Sequence, residues 1–312
     1  MHPVLAAQEA RAREVVAPEV LTWIDDAAVD AVEGGWSSYR FRPHVLRDVS
    51  SVSTQTDLLG TAVSSPVLVG PTAFHGKVHP LGETATAAGT AAAGSLMVWS
   101  MRASVPFEGS GWWQAYLLRE RALTLDACLR ARDGGATAIV LTGDTPYLGT
   151  ARRVPLGAQD QAPGTLQDID WLATKTGLPV LVKGVLRGDD AEACIDAGAA
   201  GIVVSNHGGR QLGRVLPTSA ALPEVVDAVA RRVPVLVDGG VRSGLDVLCA
   251  LALGASAVLL GKPVLWGLAA DGAAGVEACL RAVGDDLAFV MGLAGCPSVR
   301  DIDGSLVAAT QP

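Results

Sequence analysis

His207 and Arg210 stand close together in V-S-N-H-G-G-R-Q, Val204 to Gln211, with two glycines between them that let the backbone turn tightly. A histidine takes up a proton near neutral pH, and an arginine grips a carboxylate through two parallel hydrogen bonds. The pair therefore suits removal of a proton from a molecule that also carries an acid group. Asp144, in L-T-G-D-T-P, is an acidic residue able to orient such a histidine. Lys183, in L-V-K-G, follows a buried-type run. It could stabilise an anion or, with a depressed pKa, form a Schiff base. Two further stretches, V-D-G-G-V-R-S-G (Val237 to Gly244) and L-G-K-P (Leu260 to Pro263), combine glycines with Arg242 and Lys262. A phosphate needs that combination of close backbone approach and positive charge. Gln114 and Tyr116 in W-W-Q-A-Y, and Ser100, are polar residues that close apolar runs. Taken singly, each serves a core or capping role as readily as a functional one; together they make a polar ring.

The elements that must position these residues show in the apolar pattern. Eight short runs occur at Val67–Val69, Leu96–Trp99, Trp112–Leu117, Ala138–Leu141, Val180–Val182, Gly201–Val204, Val235–Val237 and Ala257–Leu260. Helical segments lie between them, among them Glu83–Ala93, Leu123–Asp133, Asp189–Ala197, Ala220–Ala230 and Ser243–Leu253. Continuous β-branched runs alternating with helices predict buried parallel strands, and eight units predict an α/β fold of the (β/α)8 TIM-barrel type. A doubly wound open sheet is the alternative. In the barrel every candidate residue falls at the C-terminal end of a strand, the face where such barrels do chemistry. Upstream, helical spacing from Ala6 to Val32, with Pro18 opening a second helix, and a hairpin at Thr54–Val63 turning at Gly60 predict an N-terminal extension. That extension is placed as a lid on the bottom or side of the barrel. Ala273–Val290 reads as a last amphipathic helix. The expected organisation is one domain over 1–312, with extension 1–65, barrel 66–270, and C-terminal helix and tail 271–312. Two intervals break the rhythm on the catalytic face: Arg152–Gly164, after the fourth strand, and Gln211–Pro217, after the sixth.

Bulk properties narrow the function. A chain of 312 residues with 49% hydrophobic content can bury one large core. A net charge of -8 argues against a nucleic-acid surface. The five cysteines are scattered without a CxxC pair, which fits free thiols in a reducing cytoplasm. Met1–Val16 lacks the apolar core of a signal peptide, and no run is long enough to span a bilayer. His75 and His79 are spaced i, i+4, but Gly76 and Pro80 argue against a helix there, so no metal site is expected.

From about Phe41 to Ser298 the chain resembles the FMN-dependent α-hydroxy acid oxidases and dehydrogenases. The resemblance rests on P-T-A at Pro71–Ala73, Q-A-Y at Gln114–Tyr116, L-V-K-G at Leu181–Gly184, S-N-H-G-G-R-Q at Ser205–Gln211 and D-G-G-V-R at Asp238–Arg242. It implies His207 as the base for the substrate hydroxyl, Asp144 as its partner, Arg210 as the carboxylate clamp and Tyr116 as a substrate hydrogen-bonding group. It implies Lys183 beside the flavin, stabilising its reduced anion. Pro71, Thr72, Ala73, Ser100, Gln114 and Thr142 would line the ring system, with Ser205 in the same cofactor set. Asp238, Gly240, Arg242, Gly261 and Lys262 would hold the ribityl chain and phosphate of FMN. Lys262 stands where the family usually has arginine, so a fork becomes a point charge. Ala73 in place of glycine leans towards oxidase chemistry.

Three departures bear on the substrate. A family tyrosine that helps hold the carboxylate falls on Ile24. A second substrate arginine aligns near Ala151, with Arg152 or Arg153 as shifted replacements. The segment after the fourth strand is shorter than the family's lid. The expectation is oxidation of a bulky or aryl, mandelate-like α-hydroxy acid to the keto acid, with oxygen or another acceptor reoxidising the flavin. The resemblance also implies a homo-oligomer, a tetramer. Alternatives are an FMN-dependent oxidase of an amine, peptide or natural-product intermediate, a Lys183 Schiff-base lyase, and a flavin-binding protein without catalysis.

Overall fold

The computed structural model describes residues 1–26, 35–146 and 161–309. The chain enters through helices α1 (Pro3–Val15) and α2 (Pro18–Asp25), each with proline in its first turn. There the missing N–H costs nothing and the fixed φ favours the helix. Strand β1 (Tyr39–Phe41) and the hairpin β2 (Thr56–Leu58) and β3 (Thr61–Val63) follow. Gly60, at φ +80, makes the hairpin turn.

The eight apolar runs are the eight strands of one parallel sheet: β4 (Val67–Val69), β5 (Val98–Ser100), β6 (Gly111–Ala115), β7 (Ala136–Thr142), β8 (Val180–Val185), β9 (Gly201–Val204), β10 (Val235–Asp238) and β11 (Ala257–Leu260). The order β4-β11-β10-β9-β8-β7-β6-β5 closes into a barrel through a parallel bridge between Val69 and Met97. Helices α3 (Gly82–Ala92), α4 (Arg121–Asp133), α5 (Gln167–Thr176), α6 (Gly188–Asp196), α7 (Thr218–Val229) and α8 (Gly244–Ala252) surround it. These strands are unbroken apolar runs because both faces are covered. In β10, Leu236 joins Leu68, Leu181 and Val203 inside the barrel, while Val235 and Val237 pack outwards in the main cluster. Each fully buried leucine or valine contributes about 1.5–3 kcal/mol.

Helix α9 (Lys262–Ala294) changes direction at Asp271 and Gly272, whose backbone is not helical. The break separates the eighth barrel helix from a C-terminal helix, close to the expected Ala273–Val290. Gly275, an unfavourable helix residue on propensity, is a contact point. A Cβ there would collide with the carbonyl of Gly267 on the other side of the break. Beyond α9, strand β12 (Val307–Ala309) pairs antiparallel with β1, so the tail is tied to the start of the chain. Nothing in the Phe41–Ser53 pattern had pointed to that pairing.

The N-terminal extension divides between the two ends of the barrel, which corrects the expected bottom-or-side lid. The hairpin does lie at the bottom: Leu58 and Val63 belong to the inner cluster, and the Ser64 N–H donates to Gly94 ahead of β5. The helices do not. Ile24 packs with Ala12, Val16, Leu265 and Trp266, and Trp23, Ile24 and Asp26 line the cavity at the C-terminal mouth. The gap between the mouth and α9 is an apolar docking surface that helical spacing alone does not locate.

Candidate active site

A cavity of about 320 Å³ opens at the mouth, lined among the described residues by groups from α2 and from the ends of all eight barrel strands or the loops that follow them. At its centre, His207 Nδ1 lies 3.1 Å from both Oδ1 and Oδ2 of Asp144. Burial opposes ionisation of Asp144, but the charge and hydrogen bond of His207, with Lys183 behind, outweigh it and hold the carboxyl below its usual range. An ionised Asp144 accepts the Nδ1 proton, which leaves the Nε2 lone pair as the basic site. The backbone of His207 is left-handed at φ 55, as are Gly208 and Gly209. A non-glycine residue there costs roughly 1–3 kcal/mol. Ser205 Oγ accepts the His207 N–H at 3.1 Å and Asn206 Oδ1 accepts the Gly208 N–H at 3.1 Å, fixing the turn.

Lys183 is buried in the end of β8. Its Nζ donates to Ser205 Oγ at 2.7 Å and sits 2.9 Å from Asp238 Oδ2; Ser205 Oγ in turn donates to Asp238 at 2.9 Å. Burial would lower its pKa, yet the charges of Asp238 and Asp144 raise it above the ordinary lysine value. The bulge after Lys183 is made possible by Gly184, at φ +106. A Cβ there would sit 2.5 Å from Asp144, so the glycine gives the carboxylate its place.

The loop after β10 and the start of α9 form a different environment. Gly239 and Gly240 are left-handed at φ 90 and 77, and a Cβ at Gly239 would press on Thr218 Oγ1 at 3.0 Å. Arg242 and Lys262 line the cavity beside them, and among the described residues neither has an ion-pair partner. Burial lowers the pKa of Arg242. Burial also lowers that of Lys262, with Asp25 opposing and Arg210 and Arg242 adding to the effect. Two compressed cations beside bare backbone suit a phosphate dianion. Among the described residues, the buried acceptors without partners include Asp238 Oδ1 and Gln114 Oε1 at the strand ends around the cavity. A polyhydroxylated chain and a ring N–H would satisfy them, so the residues fit a flavin mononucleotide.

Pro71, Thr72, Ala73, Tyr116, Lys183, His207, Arg210, Asp238, Gly240, Arg242, Gly261, Lys262 and Ile24 all line the cavity. Ser100, Gln114, Thr142 and Ser205 are instead buried at or next to the strand ends. Gln114 Nε2 donates to Thr142 Oγ1 at 2.6 Å, and Thr142 is register partner to Lys183. Arg152 lies outside the described residues. Ile24 is almost wholly buried at the edge of the cavity, and its carbonyl and that of Trp23 accept from Arg210.

Three wall residues had not been singled out. Trp23 meets Phe74 edge to face with centroids 6.3 Å apart, and Arg210 lies 5.4 Å from the Trp23 ring centroid. Arg102 lies 4.5 Å from the centroid of the Tyr116 ring. The signal was present for Arg102, a cation just after the second strand, in the position that drew attention to Lys183. The loops beneath are pinned from α3. Glu83 Oε1 accepts the His75 and Ser104 N–H groups, both at 3.0 Å. His75, read above only as a metal candidate, bridges Thr72 and Thr86 through its two ring nitrogens at 2.6 and 2.8 Å. Burial pushes its pKa down to about 4.

A family-wide sequence model described as FMN-dependent dehydrogenase matches residues 12–165 and 153–309. The two blocks meet in the segment after β7. Glycolate oxidase 3 of Arabidopsis thaliana is 41% identical over 308 residues, covering 86% of this chain and 84% of that protein. 4-Hydroxymandelate oxidase of Amycolatopsis orientalis is 38% identical, covering 95% of each. That alignment spans 339 positions, more than the 312 residues of this chain, so the relative carries residues that this chain lacks. A crystal structure of mandelate oxidase with (S)-4-hydroxymandelic acid superposes with a TM-score of 0.92 at 36% identity, covering 99% of both chains.

Proposed function

The chain belongs to the FMN-dependent dehydrogenase family, and from that premise we propose that it oxidises a bulky or aryl, mandelate-like α-hydroxy acid to the α-keto acid. The observation that carries the reading is His207, bonded through Nδ1 to both oxygens of Asp144 and facing the same cavity as Arg210. Arg210 holds the substrate carboxylate, and Tyr116 donates a hydrogen bond to the substrate. His207 Nε2 takes the hydroxyl proton, and Asp144 stabilises the resulting imidazolium. FMN, when bound, supplies the acceptor for the hydride equivalent that leaves the α-carbon. Arg242, Lys262, Gly240 and Gly261 hold its phosphate. Asp238 holds the ribityl chain. Pro71, Thr72, Ala73, Ser100, Gln114, Thr142 and Ser205 would frame the ring, and Lys183 would supply positive charge beside it.

The aryl preference is supported by Trp23, Phe74 and Ile24 on the cavity wall, and by the mandelate and hydroxymandelate oxidases among the similar proteins. A Schiff-base lyase requires a depressed lysine pKa, whereas Lys183 is shifted the other way. The reading includes oxygen or another small oxidant as final acceptor. It includes a homo-oligomer, to which the exposed Phe289 and Leu293, one turn apart on α9, would contribute. Five buried free cysteines support a cytoplasmic setting. No helix among the described residues is long and apolar enough to cross a membrane. An anaerobic panel of hydroxy acids, read by flavin bleaching, tests the reading. Mandelate-like acids should bleach faster than glycolate or lactate; bleaching by none of them, or fastest by glycolate or lactate, overturns it.

A further inference from the structure

Among the described residues five cations line the cavity: Arg102, Lys183, Arg210, Arg242 and Lys262. Lys183 is matched by Asp238. On the reading above, Arg242 and Lys262 answer the FMN phosphate and Arg210 answers the substrate carboxylate. Arg102 is left over. Among the described residues its guanidinium has no hydrogen-bond acceptor and no acidic partner; it rests on the Tyr116 ring. The backbone that carries this side chain is nonetheless held in place. Its own N–H donates to Ser100 Oγ at 3.1 Å, and its carbonyl accepts from Phe74 at 3.2 Å. Two residues on, Ser104 is tied to the buried Glu83. A guanidinium carries five donors, and a half-buried one without acceptors is an incomplete arrangement.

Topology says where the missing acceptor belongs. Arg102 follows β5 and Arg210 follows β9, four strands apart in an eight-strand ring. The two arginines therefore approach the cavity from opposite sides of the mouth. A carboxylate seated on Arg210 leaves the distal part of the substrate directed towards Arg102 and Tyr116.

We infer that Arg102 is a specificity-determining residue that binds a second acidic group, at the end of the substrate remote from the carboxylate held by Arg210. The inference rests on the hydroxy-acid reading and narrows it to hydroxy acids with a distal carboxylate or comparable anion. The stem of Arg102 and the rings of Trp23 and Phe74 would flank the intervening hydrocarbon or aryl body.

The test uses the FMN-loaded protein and matched pairs of compounds. 4-Carboxymandelate and 4-methylmandelate are compared as substrates by anaerobic flavin bleaching. Terephthalate and 4-methylbenzoate are compared as non-reacting ligands by perturbation of the flavin absorbance. The member of each pair with the second, distal carboxylate should be favoured by about tenfold or more, the scale of one hydrogen bond between charged groups. Arg102→Leu should abolish that ratio and Arg102→Lys should retain part of it, because the charge stays and the fork is lost. Equal binding of the two members by the unmodified protein overturns the inference. So does an Arg102→Leu variant that loses affinity for both members alike, which would put Arg102 on the shared carboxylate. If no hydroxy acid bleaches the flavin while terephthalate still binds preferentially through Arg102, the hydroxy-acid reading fails and the distal anion site stands.

Discussion

Lys183, at the end of β8, and Lys262, at the start of α9, face one cavity, but only the first is compensated from within the protein. Asp238 and Asp144 surround Lys183 and hold its proton more firmly than water would. Around Lys262 burial and two arginines outweigh the charges of Asp25 and Glu9, and its hold on the proton weakens. The difference separates charge that belongs to the folded chain from charge kept in reserve for a ligand. Reserve charge makes the empty protein less stable and makes ligand binding tighter.

The largest expected effect breaks the compensated side. Lys183→Met strands Asp238 and Asp144, and should destabilise the apoprotein by about 3 kcal/mol or more in denaturant titrations. Lys262→Met should leave the apoprotein as stable or more so. Equal losses in the two variants would remove the distinction. In the holoenzyme, Lys183→Met should also lower the flavin midpoint potential and weaken sulfite adduct formation. Next in size is His207→Ala, which removes the base and should slow anaerobic flavin reduction at least about 100-fold. Its FMN affinity should be unchanged; near-native reduction in that variant would move the base elsewhere.

The reserve side is tested by FMN affinity. Lys262→Met should weaken binding about tenfold, from one lost charge-assisted contact. The pH dependence has a definite sign. The pKa of Lys262 in the apoprotein lies below the ordinary 10.5, so raising the pH removes its proton and FMN binding weakens before 10.5 is reached. Lys262→Arg should flatten that alkaline limb in a fluorescence titration; an unchanged limb would place the titrating group elsewhere. The smallest effect concerns Ile24→Tyr. It should improve kcat/KM for lactate relative to mandelate a few-fold, by returning one hydrogen bond worth about 1 kcal/mol. Ile24 is only 1% exposed, so the larger ring should also cost about 1–3 kcal/mol of stability through overpacking. An unmoved substrate ratio would show that position 24 does not set the preference.

The strands were legible because burial on both faces leaves only apolar residues, and their ends were legible because reactive residues interrupt those runs abruptly. His207, Lys183 and Asp144 could be found in that way from the sequence alone. Trp23 and Phe74 could not, since their place depends on α2 folding over the mouth and on a left-handed backbone at Phe74, φ 59. The pairing of β1 with β12 joins residues far apart in the chain and carries no local signal. Helix α5 begins after a stretch rich in Gly, Pro and Gln, where apolar spacing is weak. Glu83 lies in a segment whose helix was foreseen, but its buried carboxylate serves neighbouring loops rather than its own helix.

Every other neighbouring pair of barrel strands shares at least three register positions, whereas β4 and β5 meet at the single bridge between Val69 and Met97. Transient opening of the cylinder should begin along that line, because fewest ladder bonds must break there. The loops on either side of the line carry Ala73 and Arg102, and Glu83 clasps them above it. The chain has thus put a clasp at the rim where the wall is thinnest, and amide exchange at Val69 should report on that clasp before any other barrel strand loosens.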